Sequence, residues 1–225
     1  MLRIEDVDTQ RAVAEIEQSQ REDLRWLGLD WDIETTRQSE RDYTPWLQRL
    51  DGQTYFCTCS RKMVRSSGGV YLGTCRDAGH TEGSVRFRTE AGPDPVLRRR
   101  DGIFTYTLAV VADDIADGVT EVVRGADLAD AVAVQQALWT AFGASPPRWQ
   151  HTPMILGAGG LKLAKSRSSM SLRAMRDAGW SAGNVLDLVK DWLAEPTGPI
   201  TVQIPENGEP PSVEVGLHWS TGDPQ

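Results

Sequence analysis

Three cysteines stand close together in the chain: Cys57, then Cys59 after one intervening residue, then Cys75 after fifteen more. Thiolates gathered in one short segment suit zinc, and a closed four-ligand site would be structural, leaving no open position for catalysis. Ligand preference alone selects His80, an imidazole five positions past Cys75, as the fourth donor. The competing reading is three buried thiols acting as small hydrophobes. A second group is the glycine- and serine-rich loop Gly159–Ser166, where Lys162 and Lys165 are three positions apart. Two such ammonium groups can close on phosphate oxygens and offset charge during phosphoryl or nucleotidyl transfer. The loop lacks Walker spacing, and taken alone a solvated basic loop fits it better. Third is the charged opening Arg3-Ile4-Glu5-Asp6-Val7-Asp8, placed where the carboxyl end of a strand would offer groups to a ligand, or where a turn would cap the next helix. Fourth, Tyr106, the pair Asp113-Asp114 and Arg124 belong to one stretch, with Arg124 at a strand end suited to clasp a carboxylate.

Positioning these groups requires alternating elements. Leu2–Glu5 reads as a strand end. A helix is expected from Thr9, with Val13, Ile16, Leu24 and Leu27 near one face and Gly28 as its stop. A second helix covers Ser39–Leu50 and tolerates Pro45 only in a late first turn. Residues 53–100 differ in character, with short strands at Thr54–Cys57, Val85–Arg88 and Pro95–Arg100, paired glycines and every cysteine. That is the composition of a small insert. Val119–Arg124 reads as a strand, Ala126–Phe142 as a helix capped by Asp127, Arg148–Leu156 as a strand, and Ser171–Ala178 and Ala182–Leu193 as helices. The chain after Pro196 is proline-rich and polar, a loosely ordered tail. Alternation around an insert predicts an α/β core with a parallel sheet.

The 225 residues, 40% hydrophobic and 25% charged, exclude collagen-like and low-complexity classes. No window has the roughly 18 consecutive apolar residues of a membrane span. The opening segment has no apolar signal core and three cysteines are too few for a disulfide scaffold, so a reducing, cytoplasmic location is expected. The net charge of -8 argues against a generic nucleic-acid binder, but the charge is segregated. Residues 61–100 hold 9 Lys/Arg against 4 Asp/Glu, a basic segment in an acidic protein.

Taken in order, the strings LRIEDVD, WLGLDWD, RQSERDY, RRRDGIFTYTLAVVADDIADGVTEVVRGADL and GLKLAK resemble those of class I glutamyl-tRNA synthetases. The resemblance spans roughly residues 2–195. The segment Cys57-x-Cys59, eleven residues, Tyr71, three residues, Cys75 is similar to the zinc motif of the glutamyl-Q tRNA(Asp) synthetases, short paralogues that attach glutamate to the queuosine base of tRNA(Asp). The resemblance implies a Rossmann-type catalytic core over 1–52 and 101–165, a zinc-binding, acceptor-contacting insert over 53–100, a helical segment over 166–195 and the tail over 196–225. It also implies an ATP-dependent ligase, with structural Zn2+, ATP with Mg2+ as substrate, glutamate and tRNA(Asp) as partners, no membrane and a monomeric state. Glu5 would accept the α-amino group of glutamate, Tyr106 would hydrogen-bond the amino acid and Arg124 would pair with its side-chain carboxylate. Lys165 would contact ATP and act in catalysis with Lys162. Cys57, Cys59, Tyr71 and Cys75 would hold zinc, which displaces His80. Arg61, Lys62 and Arg65 are the candidates for phosphate contact.

Two departures accompany this match. The family's first strand, its Pro-Ser-Pro segment and its His-Ile-Gly-His motif have no counterpart here, so the core is expected to be N-terminally incomplete. Groups acting on the transition state are worth orders of magnitude in rate. Ala164 also replaces a serine in the lysine loop. A start set too late is one explanation. An inactive paralogue, serving as a zinc-stabilised tRNA- or protein-binding module, is another, and a fragment of an ordinary glutamyl-tRNA synthetase is a third.

Overall fold

A computed structural model of the chain describes residues 1–156, 171–194 and 200–201. They form two compact units. The first comprises 1–16, 31–124 and 128–150, and the second 17–30, 125–127 and the described residues from 151 onward.

In the first unit the central element is helix α4 (Tyr106–Ala116), whose residues from Leu108 to Asp114 are all buried. A helix apolar around its circumference belongs in an interior. Leu108, Val110 and Val111 pack with Leu138, Trp139 and Phe142, at and beyond the end of α5 (Val132–Ala141), and with Tyr43, Leu50, Phe87 and Leu97. α4 ends because Gly118 takes φ +70°, with Gly118 N–H donating to Ile115 O and Val119 N–H to Asp114 O, the two bonds of a Schellman stop. The short helix α2 (Thr44–Gln48) starts late enough to hold Pro45 in its first turn. The helix expected over Ser39–Leu50 is therefore shorter, preceded by a 3-10 turn at Gln38–Glu40.

Strands β1 (Thr54–Cys57), β2 (Ser84–Phe87) and β3 (Val96–Arg98) form an antiparallel sheet in the order β1-β2-β3. Helix α3 (Arg61–Ser66) follows the first two cysteines, capped by the Ser60 hydroxyl accepting from Met63 N–H. Gly83, at φ +133°, leads into β2. A Cβ there would lie 2.5 Å from the Cys57 carbonyl oxygen, so only glycine allows this approach. β4 (Glu121–Gly125) and β5 (Arg148–Thr152) form a second sheet. The helix expected over Ala126–Phe142 is instead a 3-10 turn at Ala126–Ala131 followed by α5.

The second unit contains most of helix α1 (Ala14–Trp26), which begins after a turn at Asp8–Arg11 rather than at Thr9 and stops at Gly28, φ +72°. It also contains α6 (Leu172–Asp177) and α7 (Ala182–Ala194). Trp180, Val185 and Leu188 form its core, against Trp26, Leu27, Leu172 and Met175. β6 (Ile155–Leu156) pairs in parallel with β7 (Ile200–Thr201), a strand within the stretch expected to be tail. The larger sheet is antiparallel, and parallel pairing occurs at β6–β7 and at the bridge between Leu2 and Glu34.

Candidate active site and metal centre

The extended opening segment is tied to residues 33–38. Leu2 N–H donates to Ile33 O, Thr35 N–H to Leu2 O and Gln38 N–H to Ile4 O. Alternation along an extended chain puts Arg3 and Glu5 on one side, and there they meet the acidic end of α4. Arg3 donates to Asp114 (2.5 Å), Asp117 (3.1 Å) and Glu5 (3.2 Å). Behind them the buried Asp113 accepts from Tyr43 Oη, Gln38 Nε2 and Arg41. A carboxylate pair buried this deeply persists because guanidinium groups and hydroxyls satisfy it. Burial alone would lower Arg3, but the hydrogen bond and charge of Asp114 outweigh it and hold the guanidinium above its ordinary value.

Glu5 keeps 37% of its side chain exposed, yet desolvation by the surrounding protein raises its carboxyl above the ordinary range against the opposing pull of Arg3. Tyr106, the first residue of α4, lies within electrostatic reach of Glu5, and desolvation together with the Glu5 charge push its phenol up to about 12. It is therefore a neutral donor at physiological pH. Arg124, in β4, pulls the Tyr106 value the other way and so lies within its electrostatic reach. Its guanidinium donates to Gln135 Oε1 at 2.8 Å and to Leu128 O at 3.0 Å. The three residues expected to bind glutamate thus come together: a carboxylate suited to an ammonium, a phenol, and a guanidinium suited to a carboxylate. Of the residues that orient the first and last of these, Arg3 stood out in the sequence only as part of the charged opening, and Gln135 did not stand out at all. The Arg3–Asp114 contact spans 111 positions, and Gln135 lies eleven past Arg124. Lys162 and Lys165 lie outside the described residues. Arg61, Lys62 and Arg65 are exposed on α3.

The sulfur atoms of Cys57, Cys59 and Cys75 lie within 4.8 Å of one another. Among the described residues they are the only group of three or more Cys, His, Asp or Glu side chains arranged to hold a metal. Tyr71 is buried beside them. Its Oη accepts Cys75 N–H at 2.8 Å and interacts with the Cys57 thiol, while burial pushes the phenol up to about 12. His80 is outside the cluster, its Nε2 3.3 Å from Thr58 Oγ1. Crowded thiols compete for protons: burial raises Cys59 to about 11, whereas a Thr58 backbone bond and the neighbouring thiols outweigh burial to bring Cys75 down to about 6. A soft cation taking thiolate and phenolate donors relieves that crowding, so the donor set fits zinc. The turn carrying Cys75 is locked by Arg76, whose guanidinium donates to both oxygens of the fully buried Asp94 at 2.6 Å. Arg86 stacks on the Tyr71 ring, 3.7 Å from its centroid.

Comparison with known proteins adds the family. The tRNA synthetases class I (E and Q), catalytic domain, match residues 1–69 and 72–189. A glutamyl-Q tRNA(Asp) synthetase of Synechococcus sp. (strain CC9605) is 41% identical over 202 residues, covering 83% of this chain and 69% of that protein. Another, from Nitratidesulfovibrio vulgaris, is 39% identical, covering 82% and 73%. One from Pseudomonas syringae pv. tomato is 42% identical, covering 77% and 68%. Among solved structures, a glutamate-tRNA synthetase from Elizabethkingia anophelis superposes with a TM-score of 0.63 at 24% identity, a likeness of fold. A glutamate tRNA ligase from Elizabethkingia meningosepticum, solved with its amino acid, gives 0.62 at 25% identity. This chain covers 47% and 46% of those two proteins. With its α/β fold and its relatives in agreement, the chain belongs to the catalytic-domain family of class I tRNA synthetases for glutamate and glutamine.

Proposed function

We propose that the protein activates glutamate with ATP and transfers it to the queuosine base of tRNA(Asp). The convergence of Glu5, Tyr106 and Arg124 carries this reading, supported by the names of the relatives. Glu5 takes the ammonium of glutamate, Arg124 its side-chain carboxylate, and Tyr106 bridges them as a donor. So held, the α-carboxylate attacks the α-phosphorus of ATP; the bond to the bridging oxygen breaks and pyrophosphate leaves. A hydroxyl of the modified base then attacks the activated carbonyl, an ester forms, its proton passes to solvent and AMP departs. No protein nucleophile is needed, because positioning and electrostatics supply the acceleration. Lys165, with Lys162, offsets the charge that gathers as pyrophosphate leaves, and Mg2+ accompanies ATP.

Zinc held by Cys57, Cys59, Cys75 and Tyr71 is a structural clamp for the insert 53–100, from which Arg61, Lys62 and Arg65 contact RNA phosphates. The protein acts as a monomer in the cytoplasm; none of the described helices is long and apolar enough to cross a membrane. The test is glutamate-dependent ATP–pyrophosphate exchange, followed by transfer of labelled glutamate to tRNA(Asp) with and without queuosine. Exchange that needs glutamate, and transfer that needs queuosine, are expected. Exchange with another amino acid, or none, overturns the reading.

A further inference from the structure

A cavity of about 550 Å³ opens beside the metal cluster, bordered by the three-stranded sheet, the end of α2 and the Gly79–His80 turn. Phe56 pairs with Val85, and Val85 with Arg98, so these three side chains stand in one row on one face of the sheet. All three line the cavity. Most arginines of the insert are engaged: Arg76 with Asp94, Arg86 with the Asp94 carbonyl, Arg88 with Asp77, Arg99 with Asp8 and Arg100 with the Thr58 carbonyl. The half-buried Arg98 guanidinium bonds to no described residue. A partly desolvated cation without a protein partner calls for an anion from outside.

Cations also lead to this place. Thr58 joins Arg100, through its carbonyl, to His80 of the cavity lining, through its hydroxyl, and α3 with Arg61, Lys62 and Arg65 starts just beyond Cys59. Gln48 and Asp51, also in the lining, offer an amide and a carboxylate. A phosphate at Arg98, an aromatic ring one strand further along the same row, across Val85, and polar groups in the same lining describe the chemistry of one unstacked nucleotide. The volume is within the range of small-ligand sites.

We propose that this cavity binds a single unpaired nucleotide of the tRNA, with its phosphate on Arg98 and its base against Phe56. The inference rests on the tRNA reading above. It predicts that the insert distinguishes looped from fully paired RNA. The probes are a fluorescent RNA hairpin with the anticodon stem-loop sequence of tRNA(Asp) and a blunt duplex of the same stem, titrated by anisotropy at several salt concentrations. Arg98→Gln and Phe56→Leu are each expected to weaken hairpin binding about tenfold, the order of one lost stacking or charged contact, and to leave duplex binding alone. The salt slope should fall by about 0.7 for Arg98→Gln, one phosphate contact of a single strand, and not at all for Phe56→Leu. Arg98→Lys, which keeps the charge, should keep the slope and guards against misfolding as the cause. Equal weakening of both RNAs, or unchanged hairpin affinity in Arg98→Gln and Phe56→Leu, overturns the cavity proposal while the tRNA reading stands. A wild-type protein that binds neither RNA removes both.

Discussion

At the scale of single residues, the electrostatics of Glu5 set a measurable condition on the glutamate binding proposed for it. Desolvation raises its carboxyl, and Arg3, 3.2 Å away and anchored by Asp114 and Asp117, opposes that rise. An ammonium is recognised by the carboxylate form, so glutamate affinity should fall as pH drops through the raised value of Glu5. Arg3→Met removes the opposing cation, so the fall should begin at higher pH and affinity at neutral pH should drop about tenfold, the equivalent of one charge-assisted contact. Calorimetric titration with glutamate across pH checks this; a midpoint that does not move upward rules out Arg3 as the group that keeps Glu5 ionised. The proposed fourth metal ligand is tested at the same scale. Spacing similar to the family's motif selects Tyr71 and ligand chemistry selects His80, while the Tyr71 hydroxyl sits against the thiols and His80 bonds Thr58. Tyr71→Phe should reduce zinc affinity tenfold or more, and His80→Ala should leave zinc stoichiometry unchanged, measured by metal analysis after dialysis against a competing chelator. Loss in His80→Ala with retention in Tyr71→Phe would reverse the assignment.

At the scale of elements, what was legible in the sequence was what has a local signal. Gly28 marks the end of α1, Pro45 delays α2, and strands β1, β2 and β3 fall within a residue or two of the apolar runs that announce them. Register and long-range pairing leave no such trace. Asp94 illustrates the difference. It reads as a turn residue between two prolines, yet it is fully buried, accepting from Tyr55 Oη, Thr89 N–H and both arms of Arg76. Those bonds fasten β1 and the Cys75 turn to the β2–β3 connection. They also outweigh burial and hold the Asp94 carboxyl below its ordinary range. A depressed carboxyl contributes stability that is complete above its unfolded value of about 3.9 and is lost as pH falls through the lower native value. Asp94→Ala should therefore cost about 3 kcal/mol at neutral pH, as expected when a buried pair loses one partner. The gap between wild type and variant in urea unfolding should narrow toward pH 3. A gap independent of pH would mean that the role of Asp94 is packing rather than charge.

At the scale of the molecule, charge segregation is the property that composition conceals. The chain is acidic overall, at -8, and an acidic body repels RNA except where its cations are gathered. The basic segment 61–100 includes two contrasting groups of cations. Arg76, Arg88 and Arg99 are neutralised by Asp94, Asp77 and Asp8 and serve the architecture of the insert. Arg61, Lys62 and Arg65 on α3 have no ion pair among the described residues and face solvent. These three and Arg98 are the cations of the segment whose side chains bond to no described residue, so counting basic residues overstates the binding surface and pairing corrects it. Reversing Arg61, Lys62 and Arg65 to glutamate should weaken tRNA binding at least tenfold and flatten its salt dependence, because phosphate contacts release counterions in proportion to their number. Lys190→Glu is the control: that lysine is already paired with Asp187, and its reversal changes net charge without touching the insert. If the control, scaled for charge, weakens binding as much as the α3 reversals, the attraction is a property of net charge, and the insert is not the surface that meets RNA.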